Sequence, residues 1–159
     1  MPSARKHVYE TRVVWTGNRG TGTASYRDYA RTHDVTADGP PPLAGSADRA
    51  FRGDRDRWNP EQLLLAALSQ CHMLSYLHVC AVNGVVVTAY TDRATGTMEE
   101  TAGGAGHFTE VTLHPAVEVA SPTMTAAANA LHEEAQRLCF IANSVNFPVH
   151  HEPTATTGG

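Results

Sequence analysis

The residues best suited to chemistry are three cysteines, Cys71, Cys80 and Cys139. A cysteine in an apolar segment is by default a small buried hydrophobe, so position has to sort them. Cys71 and Cys80 share one apolar run nine residues apart. On an α-helix that spacing turns them to opposite faces and separates them by about 13 Å along the axis. Such a pair cannot form a disulfide, but one thiol can face a site while the other packs. Zinc chemistry would call for C-x-x-C or two histidines at i and i+4; neither occurs, and "CH" at 71 and 72 is too cramped, so no metal is expected. No G-x-S-x-G elbow supports a serine hydrolase. A Cys–His hydrolase stays open, because any of the nine histidines could be a partner distant in the chain.

The elements that must position these residues follow from pattern. Asn59 suits an N-cap, Pro60 the first helical position, Glu61 the positive helix end and Gln62 a capping box. The helix so started runs through "EQLLLAALSQCHMLSYLHVCAV" to Asn83-Gly84 and is apolar on most of its circumference, as expected of a central, buried helix wrapped by sheet or by a partner subunit. Ser121-Pro122 opens a second helix, with Ala127, Leu131, Ala135 and Leu138 at helical spacing, which delivers Cys139 at its end. Before the first helix, residues 8 to 16, the glycine-bearing turn "GNRGTG" at 17 to 22 and the following "TASYRDYARTHDV" read as an N-terminal hairpin. Residues 37–58, rich in turn residues and mixed charge, read as a long loop near the site. "VVVTAYTDRATGTM" and "FTEVTLHPAVEV" form a second hairpin, the latter with Val111, Leu113, Val117 and Val119 on one face. A last strand spans about Phe147 to Glu152, and residues 153–159 read as a frayed tail. The order predicts one α+β domain over 1–159 with a mostly antiparallel sheet.

Composition narrows the function classes. With 42% hydrophobic and 18% charged residues and a net charge of -4, the chain is globular and poorly suited to nucleic acid or an anionic membrane surface. The stretch from Leu63 to Val82 is interrupted by Ser69, Gln70, His72, Ser75 and His78, a poor membrane span. No secretory pattern marks the first residues, and three cysteines do not make a disulfide scaffold; reduced thiols in the cytoplasm are expected.

"NPEQLLLAALSQCHMLSYL" (Asn59 to Leu77) and "LCFIANSVNFPV" (Leu138 to Val149) together resemble the two-cysteine signature of the OsmC/Ohr family of osmotically induced and organic hydroperoxide resistance proteins. The opening "VVWTGNRGTGT", the segment "FTEVTLHPAVEV" and the element order are similar too. The resemblance implies an intertwined homodimer with two cysteine-based sites at the interface and no prosthetic group. Cys71 would attack an organic hydroperoxide and become a sulfenic acid, Cys139 would resolve it as a disulfide, and a thiol or lipoyl-type dithiol would restore both. Glu61 corresponds to the family's acidic residue that holds a thiolate-activating arginine. For that arginine the resemblance offers Arg49 or Arg52, favoured over Arg19 in the first turn; each is otherwise a solvated loop charge. Cys80 matches no catalytic position, and Phe140 stands where the family commonly has proline. The competing readings are a non-enzymatic module binding a small apolar ligand in the same dimeric cleft, and the Cys–His hydrolase.

Overall fold

A computed structural model describes residues 2–158, and the chain divides into two units, one ending at Leu63 and the other beginning at Leu64. In the first, β1 (Arg12–Trp15), β2 (His33–Thr36) and β3 (Leu43–Gly45) make an antiparallel sheet in that order. The expected hairpin is therefore present, but its return strand begins only at His33, because residues 16 to 32 are folded into turns. Asn18 Oδ1 accepts from the backbone of Gly20 (2.9 Å) and Gly22 (3.0 Å), the side-chain mimicry that makes asparagine a turn former. Trp15 Nε1 donates to the Ala30 carbonyl at 2.8 Å and Ala30 N to the Gly17 carbonyl at 2.9 Å. Gly17 is required there, since a Cβ would run into the Ala30 carbonyl.

The segment 37–58, read as a loop, contains β3 and a one-turn 3-10 helix, Arg49–Phe51. Trp58 adds a rung beside Gly45, with Ser46 N donating to Trp58 O at 2.8 Å. Three-residue elements are too short to leave a period in the sequence, which is why turn chemistry dominated the reading.

Helix α1 (Pro60–Val82) starts with the reciprocal cap the sequence implied: Gln62 N donates to Asn59 Oδ1 at 2.8 Å and Asn59 N to Gln62 Oε1 at 3.2 Å. In the second unit β4 (Val87–Asp92), β5 (Thr95–Glu100), β6 (Gly106–Leu113) and β7 (Pro115–Val119) precede α2 (Thr125–Leu138), β8 (Val149–His151) and β9 (Thr154–Thr157). One sheet has the order β4-β7-β9 and the other β5-β6-β8. Consecutive strands therefore pass from one sheet to the other at Arg93-Ala94, at His114 and at Glu152-Pro153, so three long strands share one crease. The segments 85–98 and 108–119, each read as a single strand, are two strands apiece, broken at that crease. Asp92 pins it: Oδ1 accepts from His114 N at 2.7 Å, and Oδ2 accepts from the Ser69 hydroxyl of α1 at 2.5 Å.

Pairings of β4 with β7 and β5 with β6 are antiparallel, whereas β8 and β9, which return after α2, pair in parallel with β6 and β7. Return through a helical crossover makes parallel pairing possible. Residues 154–157, expected to fray, instead form β9 along β7; the β-branched run TATT suits an edge strand.

Within the chain, helix α1 buries one face, Leu68, His72, Tyr76, Val79 and Cys80, part of the apolar circumference for which sheet or a partner subunit is the expected cover. The strands and α2 cover one side only, and Leu74 stays 61% exposed. Val111, Leu113, Val117 and Val119 are all buried, as their alternation required. Val117 and Val119 join Tyr76, Val79 and Cys80 in one core cluster, while Val111 and Leu113 pack with Leu68 and Val149 in another.

Leu113 is fully buried, so Leu113→Ala should lower unfolding free energy by about 2–5 kcal/mol in urea titrations, whereas Met98→Ala on exposed β5 should change it by no more than about 0.5 kcal/mol.

Candidate functional site

Cys71 lies midway along α1 and is half-buried, and Cys139 is the C-cap of α2 with 1% exposure. Although 68 positions apart in sequence, the two thiols are neighbours: the Cys71 side chain acts on Cys139 as a hydrogen-bond partner and through charge. Burial pushes the Cys139 thiol up to about 11; the Ala142 N–H, 3.5 Å from Sγ, opposes the rise, and Cys71 adds to it. Cys139 is therefore held as a thiol at neutral pH. None of the three cysteines is in a disulfide. Cys80 is buried on the core side beside Tyr76, and burial raises its thiol too, which makes it a packing residue.

A cleft of about 450 Å³ opens over Cys71, lined also by Leu74, Ser75, His78, Leu138 and Phe140. Leu74, Ser75 and His78 follow Cys71 at three, four and seven residues, one stripe of α1. Phe140, 80% exposed, projects from the segment after Cys139 where the family pattern led us to expect proline. Among the described residues no cluster suited to a metal ion occurs.

The other residues singled out from sequence lie in the first unit. Glu61 sits in the first turn of α1, with Oε2 buried and without a hydrogen-bond partner among the described residues. Arg19 is exposed in the turn after β1, and Arg49 and Arg52 are exposed at the 3-10 turn. Arg52 has φ 63°, a left-handed conformation that strains a residue with a Cβ. None of the three arginines pairs with Glu61 or another carboxylate among the described residues. Among the arginines whose guanidinium is fixed, Arg57 donates to the His33 and Gly45 carbonyls; another, which the sequence did not single out, is Arg31. It lies 3.8 Å over the Tyr29 ring and 4.5 Å over Tyr26, and donates to both of their carbonyls.

Sequence reasoning also missed a buried histidine cluster beneath Cys71. His72 is 1% and His132 3% exposed, and His72 Nε2 lies 3.0 Å from His132 Nδ1. His132 stacks on Tyr76 at 3.9 Å between ring centroids, and His151 of β8 lies 4.6 Å from His72. Desolvation lowers His72 to about 3, reinforced by His151 and then His132. Desolvation lowers His132 to about 4, reinforced by His151. Burial lowers His151 as well, opposed by Asp92. All three rings are thus neutral near pH 7. The available signal was periodic: His72 and Tyr76 are four apart on the core face of α1, and His132 falls between Ala128 and Ala135 on that of α2.

Residues 53–154 match the family model described as OsmC-like protein. An OsmC-like protein of unknown function from Vibrio cholerae O1 has a similar structure, with a TM-score of 0.82 and 30% identity over 93% of this chain and 99% of that one. An organic hydroperoxide resistance protein from Elizabethkingia anophelis is similar at TM-score 0.67 and 20% identity, covering 97% of this chain and 100% of that one. A putative organic hydroperoxide resistance protein from Vibrio cholerae O1, with captopril in one of its active sites, gives 0.66 and 21% over 100% and 99%. The last two likenesses bear on the fold alone. No curated protein matches the sequence.

Because His72 and His132 have folded pKa values of about 3 and about 4, below the ordinary value of about 6.5, the unfolded chain binds protons that the folded chain refuses. Stability should therefore be full above about pH 6.5 and fall on acidification toward pH 4, by up to about 1.4 kcal/mol per pH unit for each ring. Urea titrations at pH 7, 6 and 5 should show this slope, and His132→Phe should flatten it; an unchanged slope in the variant would refute the assignment.

Proposed function

The chain belongs to the OsmC-like family, and on that premise we propose that it is a thiol peroxidase that reduces organic hydroperoxides with Cys71 and Cys139. The observation that carries this reading is the pair of adjacent reduced thiols, one half-exposed at an apolar cleft and the other buried and protonated. The Cys71 thiolate attacks the distal peroxide oxygen, the O–O bond breaks, and the alkoxide leaves as an alcohol after taking up a proton. Cys71 is then a sulfenic acid. Cys139 forms the S–S bond and supplies the proton with which the hydroxyl departs as water. A thiol or lipoyl-type dithiol reductant returns both sulfurs to thiols, in a cytoplasmic setting that keeps them reduced.

An ordinary cysteine titrates near ~8.5, so a cation near Cys71 is needed to populate the thiolate. Arg49, Arg52 and Arg19 are the family-based candidates. The walls contributed by Leu74, Leu138 and Phe140 favour a hydroperoxide with a hydrocarbon body, because burying that body supplies binding energy hydrogen peroxide cannot. The chemistry needs no prosthetic group.

A homodimer completes the reading. Leu74 and Val82 leave an apolar side of α1 at 61% and 67% exposure, the kind of surface a second copy covers. Glu61 and Cys71 are ten residues apart on α1, about 15 Å along the axis, so Glu61 cannot flank the sulfur of its own chain. Its unpartnered Oε2 suits an arginine at the partner's site.

One equivalent of cumene hydroperoxide should link Cys71 to Cys139 within a chain and leave Cys80 reduced, read by intact mass and peptide mapping. Cys71→Ser should abolish peroxide consumption, whereas Cys139→Ser should allow one turnover and leave Cys71 oxidised beyond the sulfenic acid. A main disulfide that includes Cys80, or a wild-type protein that consumes no peroxide, would overturn the assignment.

Glu61→Ala and Cys71→Ser chains, each impaired alone, should regain up to one intact site per heterodimer when mixed. A fully active monomer, or no rescue in verified heterodimers, would confine Glu61 to capping its own helix.

A further inference from the structure

We propose that the buried histidines His72, His132 and His151 form a positioning device for the disulfide step, a clasp that holds α1 against α2 at the spacing Cys71 and Cys139 need to join. This inference rests on the proposed roles of those two cysteines. His72 follows Cys71 in α1, and His132 precedes Cys139 by seven residues in α2, two turns on nearly the same face. The His72–His132 contact at 3.0 Å therefore lies one residue from the attacking sulfur on one helix and two turns from the resolving sulfur on the other. A second tie runs beside it: the Tyr76 hydroxyl donates to the Ala128 carbonyl at 2.8 Å, and its ring stacks on His132. His151 brings β8, and with it the crease, against His72.

The cluster is costly to bury, which argues for a use beyond filling space. Buried His132 Nε2 and His151 Nε2 have no hydrogen-bond partner among the described residues, and leaving a buried polar atom unsatisfied is destabilising. Apolar side chains of similar size would pack there without that cost. What they would lack is a directional bond between the helices, and disulfide formation is demanding in direction: Cα separations much beyond about 7 Å cannot be bridged. Cys71 sits over an open cleft, so its reaction with peroxide needs no particular placement of α2. Its condensation with Cys139 does. The clasp consequently acts on the second step and leaves the first alone.

His132→Phe keeps the ring and its stacking on Tyr76 but removes the bond to His72. His132→Asn places an amide near the Nδ1 position and, by turning over, can donate or accept as the imidazole does. Stopped-flow and quench experiments with one equivalent of cumene hydroperoxide, with dimedone trapping of the sulfenic acid and intact mass for the disulfide, separate the two steps. His132→Phe should form the Cys71 sulfenic acid at the wild-type rate and the disulfide about ten- to a hundredfold more slowly, the scale of loss for small misplacements of reacting groups, with sulfinic acid accumulating. His132→Asn should recover most of the disulfide rate.

A parallel arm uses diamide, which oxidises the two thiols to the disulfide and takes up their two electrons and two protons as its hydrazine. It reports on clasp geometry even if peroxide is not a substrate. Wild type inert to peroxide, with His132→Phe slowed toward diamide and His132→Asn recovered, would reject the peroxidase reading and retain the clasp. Wild-type disulfide rates in His132→Phe, equal slowing of both steps, or no recovery in His132→Asn would overturn the clasp.

Discussion

The second unit depends on one contact between neutral imidazoles, His72 of α1 and His132 of α2. Two buried rings at 3.0 Å share a hydrogen bond only while one, and only one, of the two facing nitrogens carries the bridging proton, and the bond is lost when both rings are protonated. Burial enforces that state, holding both rings well below their ordinary range. The contact is consequently insensitive to pH near neutrality and vulnerable in acid. It also marks a seam, because the residues around Tyr76 on one side and Leu68 on the other pack into separate apolar clusters. With His151 and Tyr76, the two rings supply contacts where those clusters meet.

The crease in the strands is the complementary constraint. Three long strands cross it, and their irregular backbones present polar groups that need partners. Asp92 accepts from His114 N and Ser69 Oγ, and Glu152 N donates to the Leu113 carbonyl at 2.9 Å. Through Ser69 the same carboxylate fixes α1 to the bend. Asp92 is also the negative charge that counters burial at His151, so the crease and the histidine cluster share one electrostatic environment.

Against that framework the three cysteines differ for physical reasons. Cys80 faces the core and is sealed by apolar neighbours. Cys139 is buried at a helix end, where desolvation outweighs the Ala142 N–H. Cys71 stands on the cleft side of α1, half-buried and beside Cys139. This difference in access comes from helix phase and helix ending rather than from any special local motif.

Much of this was legible in the chain itself. Asn59, Pro60 and Gln62 fixed the start of α1 because a cap is a local transaction among adjacent residues, and alternation at Val111, Leu113, Val117 and Val119 fixed which strand face is buried. Helix phase alone separated Cys71 from Cys80, and the paired cysteine segments carried the resemblance to the family that the family model and the 30% identical structure then established. Local pattern could not show the crease, since a strand that bends keeps its alternation on both sides of the bend. Nor could it show that 154–157 would add a strand, because edge pairing depends on what lies alongside. Nor could apolarity show which faces of α1 the chain itself covers, because it states that a face must be covered without saying by what. The histidine clasp is the clearest case. His72, His132 and His151 come from three elements far apart in sequence, and a polar side chain in a core position is ambiguous until packing brings its partners to it.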